Sequence, residues 1–360
     1  ISMSASASSL TRPWFTPVVL GLVLFCSGLC SLIYQSVWLR EFRLIFGGAA
    51  PAASAVLAVF MAGLGFGGAW FGSRAERTRL PLKFYAFLEA GIALAACLTP
   101  FLLQKARDIY ASTGGADSLG LFWATVLQIA VTGLVLGLPC FLMGGTLPVA
   151  MKFAQRRDDD RRSDTALFYG INVAGALAGA GLGTFAMLPS MGNRSTLMTA
   201  VLANAVIAVV AGVLSRLTEQ KSAPEEVAET PAVEMTVKAK APGWFVLAAA
   251  FLSGFTFFVA ELVWYRVATP LLGSTVFGFG LILCVVLAGI GLGGLIYSFL
   301  LRQMEPRLSG FTLISAMQAF FVLLPYALGD RVSYGALVIN ESLRGFGVGP
   351  LAAGWFGIIA

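Results

Sequence analysis

Four polar side chains sit inside stretches that are otherwise almost wholly apolar. Glu89 lies in Phe84-Tyr85-Ala86-Phe87-Leu88-Glu89-Ala90-Gly91, and Glu261 in Phe257-Phe258-Val259-Ala260-Glu261-Leu262-Val263-Trp264. Gln35 lies in Leu32-Ile33-Tyr34-Gln35-Ser36-Val37-Trp38, and Asn172 in Leu167-Phe168-Tyr169-Gly170-Ile171-Asn172-Val173. A lone carboxyl in such surroundings can carry a proton or bind a cation such as an amine. A lone amide can bind a ligand or tie one helix to another. Glu89 has the alternative of pairing with Arg74 or Arg77, and Glu261 of pairing with Arg266. The chain has no His, which excludes Ser-His and Cys-His nucleophile pairs, His metal sites and His proton relays. Cys26, Cys30, Cys97, Cys140 and Cys284 all lie in apolar runs and read as small packing residues. No catalytic residue, metal site or cofactor site emerges.

The elements that hold these groups are set by composition. Of 360 residues, 58% are hydrophobic and 12% charged, and the mean hydropathy is +0.84. A soluble domain carries about 25% charged residues. A chain this apolar has lipid as its solvent, and about twenty apolar residues cross the hydrocarbon core. That rule gives six spans, near 14–39, 51–73, 83–103, 119–149, 165–188 and 195–216. The fourth contains Pro139 and Pro148 and is expected to kink or break there. Residues 217–242 are rich in Glu, Lys, Pro and Ala and cannot bury a core, so they read as a mobile charged linker. Three more spans follow near 243–268, 274–301 and 309–329, and a tenth starts near Val348. The chain starts with Ile and ends within an apolar run, so it reads as part of a longer protein.

The two halves repeat. Ser27-Gly28, Gln35, Trp38 and Arg40 return as Ser253-Gly254, Glu261, Trp264 and Arg266, each 226 positions later. Gly63-Leu64-Gly65-Phe66-Gly67-Gly68 returns as Gly289-Ile290-Gly291-Leu292-Gly293-Gly294 in the same frame, with no gap. With the N-terminus in the cytoplasm, sixteen Lys and Arg fall on the inside and eight on the outside. That bias predicts a cytoplasmic N-terminus. The basic cluster at 152–162 is then a topology signal, and nucleic acid is not expected as a partner. Six spans, a cytoplasmic linker and a second copy entering from the same side make a parallel repeat, 1–216 followed by 243–360. Two such halves related by an axis along the membrane normal are the plan of the major facilitator superfamily. The loop Gly72-Ser73-Arg74-Ala75-Glu76-Arg77-Thr78-Arg79 resembles that superfamily's loop motif, with Arg79 in place of its second Gly.

Three stretches narrow the resemblance. They are the segment from Ser27 to Arg40, the run Leu138-Pro139-Cys140-Phe141-Leu142-Met143-Gly144-Gly145-Thr146-Leu147-Pro148, and Leu167 to Ala176 followed by Leu188-Pro189, Gly192 and Arg194. As a set they resemble the membrane region of bacterial proteins in which a transporter-like bundle is fused to a spermidine-synthase-like domain. The resemblance covers most of residues 20–216, and the repeat extends it to about 300. It implies an all-α polytopic protein of the bacterial cytoplasmic membrane and an aminopropyltransferase-like domain after Ala360. It also implies a membrane domain that handles or presents a small cation such as a polyamine. The lipid bilayer is the expected partner, with that soluble domain or other membrane subunits.

Two further features have simple readings. The runs Gly63–Gly68 and Gly289–Gly294 look like a dinucleotide fingerprint, but they lie inside apolar helices with no preceding strand. They read as helix-packing surfaces, as do Gly175, Gly179 and Gly183. Trp38, Arg40, Trp264 and Arg266 read as anchors at the membrane–water interface. Gln35 and Glu261 then lie about 5 Å below that interface, as symmetry-related candidates for the outer mouth of a central cavity. With Glu89 and Asn172 they form the expected substrate-binding set. A non-catalytic scaffold in a larger membrane complex and a stand-alone secondary transporter remain as alternatives.

Overall fold

The computed structural model describes residues 15–155, 161–219, 242–272, 276–297, 308–343 and 345. All elements among them are helical. They are α1 (Phe15–Phe46), α2 (Ala49–Arg77), α3 (Pro81–Ser112), α4 (Gly115–Gln155), α5 (Arg161–Gly181), a π-helical turn (Leu182–Met187), α6 (Leu188–Glu219), α7 (Gly243–Leu272), α8 (Val276–Ile296), α9 (Leu308–Leu328) and α10 (Asp330–Leu343). Seven helical stretches are long and apolar enough to cross a membrane. The chain is therefore a multi-pass helical membrane protein.

Helices dominate because lipid offers backbone groups no partner, so each segment must bond its own N–H to its own C=O. The ends are set by glycine and proline. Gly47, at φ 73°, closes α1 in a conformation that a side chain would strain. Pro81 sits in the first turn of α3, where its missing N–H costs nothing. The longest apolar stretch, Leu167–Thr218, is broken at Gly192, whose φ of 73° and ψ of 176° are not helical. That break yields two crossings from one helical stretch. In α4 the non-helical residue is Gly120, at φ 71° and ψ 164°. Pro139 and Pro148 lie inside the continuous part, so the break expected at the prolines does not occur. Each proline loses one backbone bond, but no water is present to draw the chain open.

The first six helices form one bundle. α1 packs on α5 and α6, α4 packs on α2 and α3, and α3 packs on α6. These pairings are unchanged when α1, α2 and α3 are exchanged with α4, α5 and α6. The two closest crossings are equivalent in that exchange. At α2–α4, Gly63 lies against Cys140, Gly67 against the Phe141 carbonyl and Gly144 against the Leu64 carbonyl. At α1–α5, Gly175 and Gly179 lie against the Phe25 and Leu29 carbonyls, and Gly28 against the Asn172 carbonyl. Glycines spaced by four form both ridges, and backbone meets backbone where any side chain would intrude.

The second half contributes α7, α8, α9 and α10, and its packing differs from that of the first. α7 is almost entirely uncovered by protein, whereas α1 is the most enclosed helix. α8 joins the bundle through α5, with Gly280 seated on Thr184. Linker residues 220–241 and the tenth span expected near Val348 lie outside the described residues.

Candidate functional site

α3 buries Leu82, Tyr85, Glu89, Ile92, Ala96, Thr99, Leu103, Ala106 and Tyr110. That spacing of three and four is one continuous helical stripe. A carboxyl is thereby carried into the bundle on the face that packs on α4 and α6 and also meets α1. Glu89 is fully enclosed. The Ser27 hydroxyl of α1 donates to its Oε1 at 2.6 Å, and the Asn204 amide of α6 donates to its Oε2 at 2.5 Å. The same amide also reaches the Glu89 backbone carbonyl at 3.3 Å. Tyr85, one turn earlier and buried, borders this carboxyl with its hydroxyl short of a good hydrogen bond. Eleven residues beyond Ser27, the Trp38 indole N–H donates to Thr99 Oγ1 at 3.2 Å, ten residues beyond Glu89. Two ties at matched spacing set α1 and α3 parallel and in register.

Glu89 has no Arg or Lys partner among the described residues, so the pair expected with Arg74 or Arg77 does not form. Arg74 instead lies over the Trp70 ring, its guanidinium carbon 3.7 Å from the centroid. Ser27, Asn204 and Tyr85 are neutral. An ionised carboxylate enclosed by neutral groups is costly unless a positive charge joins it. Both states can be satisfied here. The carboxylate accepts from Ser27 and Asn204, and the protonated acid can donate to Ser27, because a hydroxyl turns freely between donor and acceptor.

The other expected residues lie elsewhere. Asn172 donates to the Leu24 carbonyl at 3.0 Å, in the α1–α5 crossing. Its amide acts as a tie between those helices. Gln35 is buried, and neither amide atom has a hydrogen-bond partner among the described residues. Glu261 is also buried, and its Oε1 lacks a partner. α7 packs on α8 and touches α2, and no hydrogen bond joins Glu261 to Gln35 among the described residues. Trp38 is 0% exposed and stacks on Tyr34, with ring centroids 5.4 Å apart. An interface belt needs rings among headgroups, and this ring is enclosed by protein. Trp264 is partly exposed and Arg266 exposed.

Arg40 is not free at the surface either. Its Nη1 donates to the Leu188 carbonyl at 3.3 Å. It lines a cavity of about 520 Å³ with Arg43, Leu44, Gly47, Thr184, Leu188, Val276 and Phe277. Sequence reading gave Ser27 only as part of the repeated segment, and did not single out Asn204, Arg43 or Thr184 as site residues. No local signal joins Ser27 to Glu89 or Glu89 to Asn204, which are 62 and 115 positions apart. Among the described residues no three His, Cys, Asp or Glu side chains come together, so Glu89 acts as a single carboxyl.

No protein family, curated protein or solved structure was found to match this chain.

Proposed function

We propose that this chain is the membrane domain of a transporter-like protein of the type fused to a spermidine-synthase-like domain, and that Glu89 is its cation-handling group. The observation that carries this reading is a fully buried carboxyl whose bonded partners, Ser27 and Asn204, are neutral. In a membrane, an enclosed ionisable group without a charged partner is a functional site by default. The missing positive charge comes from outside the chain, as a proton or a small cation. The packing around Glu89 admits a proton as it stands, and an ammonium group enters only when α1, α3 and α6 part. The major-facilitator plan is supported by the exchange of α1–α3 with α4–α6, since inverted three-helix repeats nest within each half of that superfamily. The domain sits in the bacterial cytoplasmic membrane with its N-terminus inside. A stand-alone transporter would use the same site.

The experiment compares wild type with Glu89→Gln. Gln keeps the shape and the bonds to Ser27 and Asn204 but cannot exchange a proton. In wild type, difference infrared spectroscopy of the protein in lipid shows a protonated-carboxyl band that responds to pH. Vesicles holding wild type show spermidine-driven proton movement, and both signals vanish in Glu89→Gln. Loss of neither signal overturns the assignment of Glu89.

A second reading has its own observation. Both close crossings are backbone-on-backbone and leave little room for a lumen. A rigid scaffold for a soluble domain or a larger complex fits that packing. In that case Glu89→Gln leaves assembly and every vesicle signal unchanged.

A further inference from the structure

The geometry points to a second site, a pocket for the phosphate of an anionic phospholipid, built on Arg40 and Arg43 where α1, the π-helical turn, α6 and α8 meet. Arg40 and Arg43 are three apart and so share one face of the last turns of α1. At 1.5 Å per residue they lie roughly 9 Å and 5 Å before its end at Phe46, which is headgroup depth. Both line the cavity of about 520 Å³. That volume is in the range of ligand pockets.

The charge there is not neutralised from within. The nearest carboxylate in sequence, Glu41, is engaged elsewhere. Its Oε1 accepts from the Asn193 amide at 2.6 Å, and its Oε2 lies 3.8 Å from Arg107. Among the described residues no carboxylate pairs with Arg40 or Arg43. Arg40 spends one donor on the Leu188 carbonyl, which fixes its guanidinium and leaves the other N–H groups for a ligand. The Thr184 hydroxyl on the wall shares a hydrogen bond with Ser36 at 3.2 Å, which holds the π-helical turn in place. Such turns recur at functional sites because they re-aim side chains. Two guanidiniums suit a phosphodiester, which accepts paired N–H donors. The mouth is apolar. Leu44 and Phe277 are exposed on it, and Phe277 stacks with Phe185 across the α5–α8 groove, centroids 6.1 Å apart. A free anion has no use for that apolar rim, and an acyl chain does. The occupant is therefore a lipid of net negative charge. Basic pockets between membrane helices take such headgroups.

The test uses the full chain purified in a mild neutral detergent. Native mass spectrometry counts retained lipid after incubation with phosphatidylglycerol or with phosphatidylcholine. Wild type is expected to retain phosphatidylglycerol in preference to phosphatidylcholine. The double variant Arg40→Gln/Arg43→Gln loses that retention by about tenfold or more, as expected for charge-assisted bonds. Arg40→Lys/Arg43→Lys keeps the charge, reports whether the fold survives substitution, and restores part of the binding. Arg331→Gln, on α10, leaves retention unchanged. Equal retention of the two lipids by wild type overturns the proposal, as does equal phosphatidylglycerol binding by the Gln variant. Displacement of the lipid by inorganic phosphate alone would make the pocket a site for free anions and overturn the lipid assignment.

Discussion

Gly67→Ala and Gly65→Ala are two residues apart on α2 and should have opposite effects. A Cβ at Gly67 would lie 2.8 Å from the Phe141 carbonyl carbon, nearer still to its oxygen, and 3.2 Å from the Gly144 Cα. All three are backbone atoms, so no rotamer change relieves the contact. The α2–α4 crossing would have to open by about an ångström or more at that point. Overpacking a close-packed interior costs about 1–3 kcal/mol, and a collision with backbone belongs near the upper end. Gly65 faces open space, with nothing within 4 Å of the added carbon. There Ala gains up to about 1 kcal/mol in helix propensity. Gly145→Ala is the intermediate case: it meets the Phe71 ring at 2.6 Å, which can turn, and the Phe71 Cβ at 2.8 Å, which cannot, but no backbone atom is among the three nearest. Thermal unfolding in mild detergent should place Gly67→Ala about 5–10 °C below wild type, taking a few degrees per kcal/mol for a domain of this size. Gly65→Ala should lie at or above wild type, and Gly145→Ala between them. Equal midpoints for Gly67→Ala and Gly65→Ala would refute the close backbone crossing and the packing role given to the glycine ridges.

Further variants probe the remaining contacts. Asn204→Leu strips one donor from the buried Glu89 and should lower stability by about 1–3 kcal/mol, whereas Arg74→Gln should stay within about 0.5 kcal/mol of wild type in the same unfolding assay. A large effect of Arg74→Gln would restore the ion pair that the structure lacks. Gln35→Leu removes an amide with no partner among the described residues and should raise stability by about 1 kcal/mol; a fall would mean that the amide is bonded. Gly280→Ala places a carbon 2.6 Å from the Thr184 side chain and should loosen α8 from α5. Maleimide labelling of buried Cys284, read by mass spectrometry, should then rise above wild type.

Apolar length alone located nine of the helices with useful accuracy, because a span in lipid has almost no freedom to be anything but helical. The glycine ridges were legible as packing surfaces, since small residues at fourfold spacing have few other uses in an apolar helix. The turn at Gly192 was visible only as a gap between two apolar runs. Pro139 and Pro148 left a kink or a break open, and the backbone keeps helical dihedrals there because lipid offers its peptide groups no other partner. The candidate site was half legible. Glu89 stood out because its own neighbours are apolar, but its partners come from α1 and α6, and tertiary packing alone decides which faces meet. Local reasoning put it beside Arg74 or Arg77, bases of the adjacent loop. Trp38 looked like an anchor because it ends an apolar run next to Arg40. The run continues as helix to Phe46, however, so the ring lies well inside the element. Gln35 and Glu261 were linked by sequence equivalence, which does not require them to be neighbours.

The enclosure of Trp38 makes it a built-in optical reporter. Its indole is stacked on Tyr34, bonded to Thr99 and unreachable from lipid, whereas Trp70, Trp123 and Trp244 are exposed on the outside of the helices. Brominated acyl chains should extinguish the emission of the exposed rings and spare that of Trp38. With Trp14, Trp264 and Trp355 replaced by Phe, the surviving blue-shifted fluorescence then reports on the α1–α3 seam. Any working motion that parts those helices beside Glu89 would register as a change of colour, with no label attached to the protein.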